Sequence, residues 1–145
     1  NTNQSFAFAG GVATASFGTA TAKLLEDRNE VDEAGEPLLD DKGNQIVTKG
    51  LKSQKKAIIK SQASGLLAPT DWYVIKATDV AEYSVPSAVT TFRADVRTRS
   101  NEMETAIDNA SDVDALATLY AYVNTGTEEN PVMERPLGEW PELGV

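Results

Sequence analysis

Aromatic and small residues alternate along the first stretch of the chain, Ser5-Phe6-Ala7-Phe8-Ala9. Gly10-Gly11 follows, and Val12-Ala13-Thr14-Ala15-Ser16-Phe17 resumes the pattern. A period of two broken by a glycine pair predicts a β-hairpin closed by a two-residue turn. Gly18 interrupts the pattern, and Thr19 to Leu25 is expected to add a third strand. Such a sheet is rich in Ala, Thr and Ser and buries too little apolar area to stand alone, so a helix layer or another chain is expected to cover it.

Between residues 31 and 48 the pattern shortens. Asp32-Glu33-Ala34-Gly35 and Asp40-Asp41-Lys42-Gly43-Asn44 are turn sequences, with Leu38-Leu39 and Ile46-Val47 as short flanking strands. DEAGEPLL and DDKGNQIV share a D-x-x-G pattern followed by two apolar residues, which predicts two similar turns.

After Gly50 the period becomes helical. Leu51, Ile58, Ile59, Leu66 and Leu67, with Ala57 and Ala63, fall on one face while the lysines fall elsewhere, and Gly65 and Pro69 are expected to end the helix. Thr70 is the expected N-cap of a short helix opened by Asp71 and running through Trp72, Tyr73, Val74 and Ile75. Pro86 suits the first position of the longest helix, about 86 to 109. Its apolar face is Val89, Phe92, Val96, Met103, Ala106 and Ile107. Ser111-Asp112-Val113-Asp114 predicts a capped start to a last helix through Leu116, Leu119, Tyr120 and Val123. Beyond it, a Pro-punctuated segment carries Trp140 and Leu143, which need a surface to lie on.

The fold class expected from this pattern is α+β. A small N-terminal β element and a hairpin precede a compact bundle of three or four helices and an extended C-terminal tail. Residues 1–25 form the β arm, 26–50 a turn-rich hairpin connector, 51–123 the helical domain and 124–145 the extended tail.

Charge changes this picture by falling in blocks. Residues 1 to 22 carry no charged side chain, and residues 26 to 41 hold eight acids against Arg28. Lys42, Lys49, Lys52, Lys55, Lys56 and Lys60 follow with no acid between them. The net charge of −9 over 145 residues weighs against a nucleic-acid backbone as partner, and no run of apolar residues is long enough for a membrane span. The opening NTNQSFAFAGG has neither a basic region nor an apolar core of a signal peptide, and it lacks a starting Met, so processing or a longer precursor remains open.

Cysteine and histidine are both absent. Cys nucleophiles, disulfide scaffolds, Cys/His zinc sites and His acid–base chemistry go with them. The acidic run lacks the order of a calcium loop, so its acids are read as turn residues. The lysine run is read as a charged helix face that pairs with the acidic block, either within one copy or between copies. Glu102 with Glu104, or Asp108 with Asp112, are the available carboxylate pairs, but a spacing of two points the first pair to different faces. Trp72 and Tyr73 are read as anchors of a small helical core rather than as a ligand platform. No catalytic, cofactor-binding or metal-binding residue is assigned.

From Leu66 to about Tyr120 the sequence resembles a known family. Leu66-Leu67-Ala68-Pro69-Thr70-Asp71-Trp72-Tyr73-Val74-Ile75, then Val85-Pro86, then Val89-Thr90-Thr91-Phe92-Arg93 and Arg97, is similar to a module of tailed phages. There an LL-x-x-T-D-W start precedes a Pro-initiated helix with an aromatic–Arg pair and a second Arg. The module occurs in the C-terminal part of tail fibre assembly proteins and in tail-associated structural proteins. Here Lys76 stands where an arginine is usual, and Glu82-Tyr83-Ser84 replaces an acid–Gly pair.

The resemblance implies a non-enzymatic virion structural protein of the tail, neck or fibre, made in the host bacterial cytoplasm and resident in the phage particle. It implies a structural motif in which Thr70, Asp71, Trp72, Tyr73, Pro86, Phe92, Arg93 and Arg97 tie helices together. Its expected partners are itself, as a homo-oligomer, and other phage structural proteins, with no nucleic acid, membrane or cofactor. Phe6, Phe8, Phe17, Lys52, Lys56, Trp140 and Leu143 are the candidate assembly residues. A tail fibre assembly chaperone absent from the finished particle is the alternative, and a carboxylate-dependent glycan hydrolase is a third class.

Overall fold

A computed structural model describes residues 4–17 and 22–144. The chain is mixed α and β, with small antiparallel hairpins and helices, two of which are long.

Strands β1 (Gln4–Ala9) and β2 (Val12–Phe17) form the expected hairpin, with Ala9 opposite Val12 and Phe6 opposite Ala15. Gly10 and Gly11 have φ of 59° and 79°, the left-handed pair that a two-residue turn between twisted strands requires. The Phe17 side chain and residues 18–21 lie outside the described residues. Ala22 to Leu25 are not a strand. Their carbonyls serve another purpose: Leu24 O and Leu25 O accept the first N–H groups of helix α1 (Leu51–Leu67) from Leu51 and Lys52 at 2.8 and 3.1 Å. A helix start without a side-chain cap is thereby satisfied.

β3 (Arg28–Asn29) pairs with β4 (Val47–Thr48), and the chain between them folds back twice. Asp32 O accepts the Gly35 N–H, and Asp40 O accepts the Gly43 N–H. Asp32 Oδ1 takes the N–H groups of Ala34 and Glu36, and Asp40 Oδ1 those of Lys42 and Asn44. Gly35 and Gly43 carry the positive φ, 86° and 81°, that closes each turn. The shared D-x-x-G pattern thus builds the same turn twice. Three backbone bonds then close a ring, from Glu30 N–H to Ile46 O, Ile46 N–H to Leu38 O and Leu38 N–H to Glu30 O, at 2.8–3.0 Å. Inside that ring the Gln45 amide reaches the same three carbonyls at 2.7–3.1 Å. With two N–H donors, at least one of these bonds is shared.

Helix α1 packs on the long helix α3 (Ser87–Asn109), and this pair makes the core. Between them lie a 3-10 turn (Ala68–Thr70) and α2 (Asp71–Asp79). The buried stripe of α3 is Val89, Phe92, Val96, Ser100, Met103 and Ile107, at the spacing of three and four that the sequence predicts, with Ala106 beside it half-buried. Pro86 is the N-cap rather than the first helical residue, with extended ψ of 139°.

On α1 the buried residues are Lys52, Ile59 and Ala63, while Ile58 and Ala57 face solvent. The expected face was too wide: positions 52, 59 and 63 share one line along the helix, and Ile58 lies about 100° from it. Gly65 does not stop α1, which runs through Leu67 into the 3-10 turn.

α2 buries no residue, so the bundle reduces to two packed helices with shorter pieces around them. α4 (Val113–Thr118) starts as predicted, with Asp112 Oδ1 accepting the Ala115 N–H at 2.7 Å. It ends early, and Val123 belongs to β5 (Val123–Asn124), which pairs with β6 (Met133–Glu134).

The last segment is not a free tail. Leu137 N–H bonds Leu119 O at 2.9 Å, and its side chain, 3% exposed, joins Ile59, Met103, Ile107, Ala110 and Leu116 in the larger core cluster. Gly138, at φ 79°, turns the chain there against Arg99, where a β-carbon would lie 3.0 Å from the guanidinium. Trp140 then lies across both clusters and donates to Gln62 Oε1 at 3.1 Å. Among the described residues, no helix is long and apolar enough to cross a membrane.

Candidate functional site

The charged candidates gather along one seam. Lys52, 8% exposed, sends Nζ to Glu26 Oε1 at 2.5 Å and to the Asp108 carbonyl at 2.9 Å. One turn on, Lys56 bonds Asp108 Oδ1 at 2.6 Å, and Lys60 meets Glu104 at 3.3 Å. The Asp108 carboxylate beside Lys56 raises the ammonium pKa above its ordinary value. At the head of α1, Asp27 takes Lys49 Nζ at 2.7 Å and the Gly50 N–H at 2.9 Å. The Lys49 bond, then Ser53 and the Gly50 N–H, hold the Asp27 carboxyl at about 2.

Gly50 must be glycine there, because a β-carbon would fall on the Glu26 backbone carbonyl. The acidic block and the lysine face therefore meet inside one copy, through Asp27–Lys49 and Glu26–Lys52. Lys52 and Lys56 both have partners within their own chain.

A second junction joins α3 to the end of α1. Arg93 donates to Leu67 O at 3.0 Å and Thr70 Oγ1 at 2.6 Å, and pairs with Asp71 at 2.8 Å. Thr70, 3% exposed, turns its hydroxyl back onto Leu67 O at 2.7 Å, so it occupies the cap position of α2 without capping it through its side chain. The hydroxyl is held by Arg93 instead. Thr70, Asp71 and Arg93 thus tie helix ends together, and Phe92 packs with Ala63 and Val96.

Other members of the motif do something else. Trp72 is 50% exposed, stacks on Tyr73 with ring centroids 3.8 Å apart, and anchors no core. Among the described residues, Arg97 donates to Arg93 O in its own helix, at 3.0 Å, and reaches no other helix. The tryptophan that does pack against Phe92 is Trp140, from the segment read as a tail. Leu143 remains 38% exposed.

An open groove of about 410 Å³ runs beside α3, lined by Asp95, Arg99, Glu102, Glu139 and Trp140. Arg99 pairs with Glu102 at 2.9 Å within it. The four carboxylates considered as acid–base pairs each have a different structural partner: Glu102 has Arg99, Glu104 has Lys60, Asp108 has Lys56, and Asp112 caps α4. Asp32 and Asp40 aim their carboxylates at their own turns, and among the described residues no three Asp or Glu converge to hold a metal ion.

Of the uncharged candidates, Trp140 is packed on the core, while Phe6 and Phe8 are without cover. Phe6 and Phe8 are 73% and 77% exposed, and every described side chain of the β1–β2 hairpin is exposed. Across the strands Ser5 and Ser16 share a hydroxyl bond of 2.6 Å, so one face is polar and small. The other presents Phe6 and Phe8 beside Ala13 and Ala15.

Sequence reasoning missed Gln45, Gly50, Gln62 and Leu137. Gly50 had a signal, a lone glycine just before a helical run; the others had none. Comparison with family models, curated proteins and solved structures finds no match to this chain.

Proposed function

We propose that this protein is a structural component of a tailed-phage particle, in the tail, neck or fibre, that associates with itself and docks on other virion proteins without catalysing a reaction. The observation that carries the assembly half of this reading is the bare hairpin: a charge-free, aromatic-bearing β element projects from a body whose buried and seam charges are paired internally. Isolated two-stranded hairpins are marginal in water, so one of this composition is a surface waiting for a second sheet. The phage half rests on the resemblance across Leu66 to Tyr120. On this view residues 1–25 are the arm, 26–50 the connector, 51–123 the body, and 124–145 a strap that locks the body.

The runner-up is a fibre-assembly chaperone, which would use the same hairpin transiently. Mass spectrometry of purified particles separates the two: abundant copies are expected for the structural protein, and a chain present in the lysate but absent from particles overturns it in favour of the chaperone. Sedimentation of the pure protein over a range of concentrations tests self-association, and a monomer at every concentration removes that part of the reading.

A further inference from the structure

We infer that two copies meet through β1, edge to edge about a two-fold axis at Ala7, forming a β2–β1–β1–β2 sheet with the phenylalanines of both copies on one face. This inference rests on the self-association proposed above and specifies its surface.

The hairpin's own geometry defines what the β1 edge offers. In a hairpin closed by a two-residue loop, the residues flanking the loop form the hydrogen-bonded pair, here Ala9 and Val12. Alternation then turns the backbone groups of Ala7 and Ser5 toward β2 and those of Phe6 and Phe8 outward, along a free edge. Among the described residues no strand pairs with that edge. It also lacks the usual guards of an edge strand: it has no lysine, no proline and no bulge over Gln4–Ala9.

The strand is self-complementary about Ala7, with Phe6 and Phe8 symmetric around it, and charge selects this place for a second copy. A second copy brings another −9, so contact through most of the body sets like charge against like. The hairpin, in a stretch of 22 residues without a charged side chain, is where two copies meet without that opposition.

Register follows from symmetry. Antiparallel pairing centred on Ala7 sets Phe6 of one copy opposite Phe8 of the other, twice, each pair exchanging both backbone bonds and laying its rings side by side. A two-stranded ribbon becomes a sheet of the size that holds together in water. The contact is smaller than the roughly 800 Å² per partner of stable complexes, so it forms and breaks readily in solution and gains from many copies held on one particle.

The absence of cysteine makes the test clean, because a single introduced thiol is the only one present. In the proposed register the two Ala7 α-carbons lie about 4.5 Å apart as a non-hydrogen-bonded pair, within disulfide reach. The two Ala9 positions lie roughly 13 Å apart, beyond it. Under mild oxidation Ala7→Cys is expected to give at least tenfold more covalent dimer on a non-reducing gel than Ala9→Cys. Adding Phe6→Lys and Phe8→Lys to Ala7→Cys should return it to monomer. All four substituted positions are exposed on the hairpin, and unchanged far-ultraviolet circular dichroism confirms the helical body in each variant. Equal cross-linking at Ala7 and Ala9, or none at Ala7 while the unmodified protein still associates in sedimentation, overturns this interface and leaves self-assembly standing. A wild-type chain monomeric at all concentrations overturns both.

Discussion

The β1–β2 hairpin and the double-turn unit of residues 28–48 are both small, and both hang on glycine turns, yet they end in opposite states. In the double-turn unit three segments bond in a ring, Gln45 fills its centre, and Asp32 and Asp40 tie each turn to its own backbone. The backbone groups of that ring are satisfied within it. The hairpin has more strand but, among the described residues, stops at two, so its outer backbone and the side chains of Phe6 and Phe8 stay in water. Strand content does not decide whether a β element is self-sufficient. What decides is whether the last segment returns to the first.

Several substitutions break or sharpen that contrast. The largest effect belongs to the body that carries both elements. Ile107→Ala empties a fully buried site in the main cluster and should lower unfolding free energy by about 2–5 kcal/mol in denaturant titration. Next, Gln45→Leu removes the donor shared by three carbonyls and should cost about 1–2 kcal/mol, with faster amide exchange at residues 28–48 than elsewhere. If exchange there is unchanged, the backbone ring alone closes the unit.

A smaller loss should come from acid. Asp27 is held at about 2 by Lys49, Ser53 and Gly50, and Asn44 lowers Asp40. Thr48 and then Arg28 lower Glu30. A carboxylate depressed in the folded state binds fewer protons there than in the unfolded chain, so its stabilisation is full above the unfolded pKa and fades as pH falls toward the folded one. The melting temperature should therefore hold from neutral pH to about 5, and decline between about 4 and 2. Amide protection, corrected for the intrinsic exchange rate at each pH, should fall first at 27–48 and stay unchanged in the hairpin, which has no acid. Least of all, Phe6→Ser with Phe8→Ser should change body stability by less than about 0.5 kcal/mol while abolishing concentration-dependent sedimentation. A large loss of stability would mean that the hairpin leans on its own body.

What the sequence disclosed follows the range of the forces involved. The Gly10-Gly11 turn, the paired D-x-x-G turns and the stripe from Val89 to Ile107 are local, and their periodicity or turn chemistry was readable directly. Lys52 was not readable as part of the core stripe, because its burial depends on Glu26 and on the Asp108 carbonyl, far away in sequence. Leu137 sits beside Pro136 with no period, so nothing nearby revealed that it completes the core. Trp140 was legible as needing a surface but not as to which one. Trp72 failed in the other direction: its apolar neighbours promised burial, but α2 meets no second layer. For the candidate surfaces, composition pointed to the hairpin aromatics, and only the folded arrangement separated them from lysines that pair at home.

The strap has a consequence for the order of synthesis. Leu137 and Trp140 seat against helices laid down some 30 to 80 residues earlier, so the core stays open on the ribosome until residue 140 has emerged. The hairpin, whose contacts span at most 13 positions, has all its own pairing partners as soon as it clears the exit tunnel. On a polysome, neighbouring nascent chains would thus present marginal, uncovered β edges that could complete one another well before their own helices are locked.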